Sequence, residues 1–250
     1  MFDHINVVLI ATTHSGNIGA AARAMKTMGL SRLTLVNPKT FPSEEATARA
    51  SGAQDILENA RVVTSLDQAL FDSEVVFGAS ARLRNLSCPC IPPREYAEKI
   101  IHEHTGRNIA LLFGRESSGL TNEELDRCHY LVNIQTTEDF YSLNIAAAVQ
   151  VLSYELRSSF LYAQQHNIKD SNKLDITTES DEALASGKSM QHFYQSLESL
   201  MVEVEYLDPK NPRFLMRRLH NIFNRIRLTQ SEINILLGIL AAIKKYLSHK

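Results

Sequence analysis

The stretch Ile109-Ala110-Leu111-Leu112-Phe113-Gly114-Arg115-Glu116-Ser117-Ser118-Gly119-Leu120-Thr121-Asn122-Glu123-Glu124-Leu125 decides the fold. A short apolar run followed by a glycine turn reads as a strand covered on both faces. Thr121 and Glu124 stand at capping-box spacing, so a helix starts there. Strand, glycine loop and helix form the context of a phosphate-binding loop, and Gly114 and Gly119 have that motif's spacing. The chemistry of that motif is missing. Where a Lys would reach the β- and γ-phosphates stands Leu120. Backbone amides alone would face several anionic oxygens, so a triphosphate site is poor chemistry and the loop serves another ligand.

Outward from this unit, β-rich runs alternate with helical patterns. Strands are expected at His4–Ala11, Arg32–Val36, Arg61–Val63, Glu74–Ala79, Asn108–Phe113 and Tyr130–Ile134. Helices are expected at Ile18–Met28, Leu66–Phe71, Pro93–His104 and Asn122–Cys128, with a long one from near Leu143. Gly29 reads as a helix stop, and Ile145, Val149, Leu152 and Leu156 make a stripe at helical period. This alternation implies an α/β domain with a mostly parallel sheet and helices on both faces, whose ligands sit beyond the carboxyl ends of the strands. Residues 163–187 are polar and read as a linker. Helical patterns then return at Met190–Leu207, Pro212–Ile226 and Ser231–Leu247, the last with Thr229 and Glu232 at capping-box spacing. The expected division is a domain over 1–162, a linker over 163–187 and a small helical, partly basic extension over 188–250.

Composition narrows the function class. The chain has 250 residues, 44% apolar and 22% charged, as a globular protein has. A net charge of -2 gives no overall electrostatic case for nucleic acid, so a basic surface must be local. We expect neither signal peptide nor membrane span, and a cytoplasmic protein. The three cysteines, Cys88, Cys90 and Cys128, are too few for a disulfide framework. Cys88-Pro89-Cys90 lacks a second pair at zinc spacing, so free thiols and no metal are expected.

Three constellations sit at strand ends. After the first strand come Asn17, Gly19 and Arg23; an amide, a close-approach glycine and a guanidinium fork suit phosphate or ribose recognition, while an Asn cap with a surface Arg explains them equally. After the fourth strand, Gly78-Ala79-Ser80-Ala81 leaves room for a ligand or crossing chain, or makes a tight turn. After the last, Ser142 reads as a natural N-cap before an Ala-rich helix. In the extension, Lys210, Arg213, Arg217, Arg218, Arg225 and Arg227 have no acid between them in sequence. Phe214, Leu219, Ile222, Phe223 and Ile226 give the same helix an apolar stripe. Such a run suits a phosphate backbone, or a solvated face.

Taken in order, Asn17-x-x-Gly19-x-x-x-Arg23, Leu112-Phe113-Gly114-Arg115-Glu116-x-x-Gly119-Leu120 and Ser142-Leu143-Asn144 resemble the motifs of the SPOUT superfamily of S-adenosylmethionine-dependent RNA methyltransferases, in its TrmH-like 2′-O-methyltransferase branch. The resemblance covers about residues 1–160. Within the branch the chain is similar to bacterial enzymes acting on cytidine or uridine 32 of the tRNA anticodon loop.

The resemblance implies a C-terminal trefoil knot in the α/β domain, and a homodimer whose active site uses both subunits. S-adenosylmethionine would lie against Ala79, Ser80, Ala81, Gly114, Ile134, Tyr141, Ser142 and Leu143. Arg23, Asn17, Glu116, Ser142 and Asn144 would form the catalytic group, with no metal. Arg23, Arg82, Arg213, Arg217, Arg218 and Arg225 would contact RNA. The rival readings are a 2′-O-methyltransferase of another tRNA position or of ribosomal RNA, and a non-catalytic RNA-binding protein of the same fold.

Overall fold

A computed structural model describes residues 2–81, 88–140, 142–166, 183–210 and 214–248. The chain order is β1 (Ile5–Ile10), α1 (Ser15–Met28), β2 (Arg32–Val36), α2 (Glu44–Ala50), α3 (Gln54–Glu58), β3 (Arg61–Val63), α4 (Leu66–Ala69), β4 (Val75–Ala79), β5 (Cys90–Ile91), α5 (Pro93–His102), β6 (Ile109–Phe113), α6 (Asn122–Leu125), β7 (Tyr130–Val132) and α7 (Ile145–Gln165), then α8 (Gly187–Glu203), α9 (Leu215–Ile226) and α10 (Gln230–Leu247). The seven strands form one sheet in the order β3-β2-β1-β6-β4-β7-β5. Every pair in it is parallel.

The apolar strands are explained by burial on both faces. Ile5, Val7 and Leu9 of β1 join one core with α1, α2, α5 and α7, whereas Val8 and Ile10 join another beneath α4 and α6. β6 divides likewise: Ile109, Leu111 and Phe113 to the first, Ala110 and Leu112 to the second. Fully burying one such side chain contributes about 1.5–3 kcal/mol, so this double cover is the main stabilising term. The stripe expected on α7 is real: Ile145, Val149, Leu152 and Leu156 are at most 6% exposed.

Local signals act as read. Gly29 takes φ +85°, and Leu30 N–H bonds Met25 O at 2.9 Å, closing α1 with a Schellman turn. The capping boxes at Thr121/Glu124 and Thr229/Glu232 are both formed. Three elements were not expected: α2, α3 and the two-residue β5. The helices are at most two turns long, too short for periodicity to register, and β5 exists only through its pairing with Leu131 and Val132.

Gly19 corrects one expectation. A Cβ there would lie 2.0 Å from the carbonyl oxygen of Ala46. Its close approach is therefore to α2, not to a ligand. Gly78 similarly makes room for Cys128, whose Sγ would stand 2.6 Å from an added Cβ.

The helices α8–α10 enclose their own core of Phe193, Leu200, Ile233 and Leu240. They meet the sheet domain at Phe71, Ser73, Asp126 and Tyr130, positions that precede β4 and β7 or open them. In a parallel sheet this is the amino edge, opposite to the strand ends. On α9 the expected apolar stripe is only partly used. Phe223 packs inward, but Phe214, Ile222 and Ile226 are 66%, 43% and 55% exposed. The face α9 turns to the domain is instead polar, carrying Arg217 and Asn224.

Candidate active site

At the carboxyl edge, β4, β6 and β7 end around a cavity of about 190 Å³. Ala79, Ser80, Ala81, Gly114, Ile134, Ser142 and Leu143 all line it, so residues from three separate loops converge as expected. Tyr141 and Arg82 lie outside the described residues. The walls are held by main-chain bonds. Ser80 N–H reaches Val132 O at 3.0 Å, and the Asn133 side-chain amide donates to Ser80 O at 2.8 Å. The glycine loop closes on itself: Arg115 and Gly119 exchange bonds of 3.1 and 2.9 Å, and a Cβ on Gly114 would lie 2.1 Å from the Gly119 carbonyl carbon. Gly119 sits at φ +69°, a conformation that suits glycine.

Beside the cavity the three motifs join through one polar chain. Asn144 Nδ2 donates to Asn17 Oδ1 at 2.9 Å, and Asn17 Nδ2 donates to Glu116 Oε1 at 3.0 Å. Glu116 also accepts from Thr13 N–H, Thr13 Oγ1 and His14 N–H at 3.0–3.2 Å. Partial burial would raise its carboxyl, but the bonds from Asn17, its own amide, Thr13 and His14 outweigh this and hold it at about 2. Glu116 is thus an anion that ties the cavity loop to the β1–α1 turn.

Two local readings are corrected here. Ser142 does not cap α7; Asn144 does, its Oδ1 accepting from Ala146 N–H at 2.9 Å. The capping oxygen must lie immediately before the first turn, and that turn starts at Ile145, leaving Ser142 exposed on the cavity wall. Asn17 is not the cap of α1. His14 occupies the cap position of α1, and both ends of the Asn17 amide are engaged within the protein.

Arg23 is exposed on α1, with no ion pair or hydrogen bond from its side chain among the described residues, and it does not line the cavity. Of the arginines expected to meet RNA, Arg213 lies outside the described residues. Arg218 and Arg225 are exposed. Arg217 is not free, because its Nε meets Asp126 Oδ2 at 2.5 Å; the acid missing from the local sequence comes from the sheet domain. Thr13 and Arg115 were not singled out in the sequence. The only signal for Arg115 was its place between Gly114 and Glu116. Among the described residues, no group of three or more His, Cys, Asp or Glu could hold a metal ion, and no helix is long and apolar enough to cross a membrane.

Comparison with known proteins matches both parts of the chain. Residues 4–154 match the model of the SpoU rRNA methylase family, and residues 188–250 match that of the tRNA methyltransferase TrmJ C-terminal domain. The chain is 48% identical over 246 residues to the tRNA (cytidine/uridine/adenosine-2′-O-)-methyltransferase TrmJ of Pseudomonas aeruginosa, covering 98% of this chain and 95% of that one. It is 41% identical over 246 residues to the tRNA (cytidine/uridine-2′-O-)-methyltransferase TrmJ of Photorhabdus laumondii, covering 98% and 99%. The crystal structure of TrmJ from Z. mobilis superposes with a TM-score of 0.82 at 26% identity, covering 96% of this chain and 98% of that one.

Proposed function

This chain belongs to the SpoU methylase family and carries the TrmJ C-terminal domain, and from that membership we propose that it transfers a methyl group from S-adenosylmethionine to the ribose 2′-oxygen of cytidine or uridine 32 in the tRNA anticodon loop. The observation that carries this reading is the convergence of three loops on one cavity at the carboxyl edge of the sheet.

The cavity suits the cofactor. Alanines, glycines and backbone groups supply shape and hydrogen bonds for an adenosine without demanding a phosphate, which accounts for Leu120 where a nucleotide loop has Lys. Ala79, Ser80, Ala81, Gly114, Ile134, Ser142 and Leu143 would hold it, and the resemblance adds Tyr141 to this group. When bound, the cofactor supplies an electrophilic methyl group on a sulfonium.

A ribose hydroxyl is a poor nucleophile, so its proton must be shared or lost as it attacks. Arg23 stays protonated in ordinary surroundings, so its role is to stabilise the developing alkoxide, or to grip the adjacent phosphate while a phosphate oxygen takes the proton. Glu116, through Thr13, His14 and Asn17, and Asn144, through Asn17, fix the turn that launches α1 and with it Arg23. Ser142, on the wall, positions the ribose. Arg23 lies outside the lining of its own chain's cavity, and a second copy of the chain would bring it to the reacting ribose. The exposed Tyr154, Leu161 and Tyr162 on α7 suit such a homodimer. A knot in the loops around the cavity would hold the slot in its bent shape. Arg218 and Arg225 would bind RNA phosphates, with Arg82 and Arg213.

The test is methyl transfer from labelled S-adenosylmethionine to unmodified tRNA, with nucleoside mass spectrometry of the product. A 2′-O-methylpyrimidine at position 32 is expected. Label on another nucleotide or on a base would overturn the assigned position or chemistry. Absence of transfer to any RNA would return the chain to a binding role.

A further inference from the structure

We propose that Arg115 and Glu124 are positioning residues of the cofactor site: the pair locks the 114–119 loop against the start of α6 in the shape that receives S-adenosylmethionine. The proposal rests on the cofactor reading given above.

The loop contributes Gly114 through Leu120 to the cavity wall, so its shape is the shape of the site. Its two ends are pinned by the main-chain bonds between Arg115 and Gly119. These bonds close the turn but do not fix how the closed turn is tilted against the sheet. The side chains on either side of the Arg115–Glu116 peptide do that. Glu116 reaches to the β1–α1 turn, as described above. Arg115, itself on the cavity wall, reaches α6, where its Nη1 lies 3.0 Å from both carboxylate oxygens of Glu124.

Glu124 is itself immobilised. Its Oε2 accepts from Thr121 N–H at 2.7 Å, and its own N–H donates to Thr121 Oγ1 at 3.3 Å. The carboxylate therefore closes the capping box of α6 and anchors Arg115 with the same atoms. The side chains are 32% and 11% exposed, so water competes less for the pair than it does for an open surface ion pair. One residue thereby completes the capping box of helix α6 and anchors the loop that lines the cavity. A loop released on that side would have to be ordered by the cofactor on binding, and that ordering would appear as lost affinity.

A purely structural role for Glu124 makes a different prediction, and three substitutions separate the two. Glu124→Gln keeps a side-chain oxygen for the capping box but removes the charge that Arg115 meets. Arg115→Met removes the cation. Arg115→Lys retains a single cationic nitrogen, which is all that the observed contact uses. Titration calorimetry of S-adenosylmethionine into the purified full-length protein should show affinity about tenfold weaker for Glu124→Gln and for Arg115→Met, the loss of one charge-assisted contact. The double variant should be no weaker than either single one, and Arg115→Lys should recover most of the affinity. In turnover, KM for S-adenosylmethionine should rise while kcat at saturation and KM for tRNA stay close to wild type.

Wild-type affinity in either single variant would overturn the proposal, as would losses that add in the double variant. A fall in kcat without a rise in KM for S-adenosylmethionine would also overturn it. Failure of the unaltered protein to bind S-adenosylmethionine would overturn the cofactor reading itself, and this proposal with it.

Discussion

Glu116→Gln tests the polar chain that joins the three motifs. In the wild type the carboxylate accepts from Thr13, His14 and Asn17, donors that converge from the β1–α1 turn at 3.0–3.2 Å. The fall of its carboxyl from 4.5 to about 2 corresponds to about 3 kcal/mol at full strength. The site is open to water on one side, so screening reduces this to about 1–2 kcal/mol. Gln keeps the shape, but it offers one oxygen where there were two and turns an NH2 toward donors. Because the energy is released in holding the turn that launches α1, its loss should appear in turnover: kcat about tenfold lower, at 1.36 kcal/mol per decade. Cofactor affinity should fall by no more than about threefold, because Gln keeps one accepting oxygen toward the turn and Arg115 still holds the loop against Glu124, so the tilt of the loop is loosened rather than released. Initial rates with labelled S-adenosylmethionine and saturating tRNA, alongside calorimetry of cofactor binding, give both numbers. Wild-type kcat, or equal losses in kcat and cofactor affinity, would refute the reasoning. The carboxylate's contribution is fully present above pH 4.5 and is lost as pH falls toward about 2, so Glu116 should not titrate in the pH–rate profile between pH 5 and 9.

Arg23→Ala should bind S-adenosylmethionine with wild-type affinity yet lose turnover by at least about a hundredfold, the range for removing an electrostatic stabiliser; equal loss of cofactor binding would contradict its assigned place. Gly19→Ala should destabilise the protein by about 1–3 kcal/mol in urea unfolding, because the methyl meets the backbone of Ala46 at 2.0 Å rather than a side chain that could swing away. An unshifted midpoint would mean that α1 and α2 separate freely. Burial lowers His104 and His129 from 6.5 to about 4, with nearby Arg227 acting in the same direction. The unfolded chain therefore binds more protons between pH 6.5 and 4, and stability should fall on acidification across that window and level off above about pH 7. His104, buried with neither ring nitrogen hydrogen-bonded among the described residues, should account for part of the slope, so His104→Phe should flatten it; an unchanged slope would remove His104 from the account.

Much of this protein was legible in its sequence because the signals are local. β2 and β3 have the bounds expected of them, since the β-branched and apolar residues Leu33, Leu35, Val36, Val62 and Val63 favour extended backbone both in buried β2 and in the exposed edge strand β3. The capping boxes and Gly29 mark helix ends through atoms three or four residues apart, and the motif order alone led to the family. Tertiary structure decided what each polar residue touches. Nothing near Asn17 in sequence shows that its amide is shared between Glu116 and Asn144, residues 99 and 127 positions away. Arg217 looked unpaired because its acid, Asp126, arrives from the other unit. Gly19 looked ready for a ligand until α2, too short to show a period, was found against it. Backbone geometry is written by neighbours along the chain, whereas a side chain's partner is set by which strands lie side by side, and only the folded sheet fixes that.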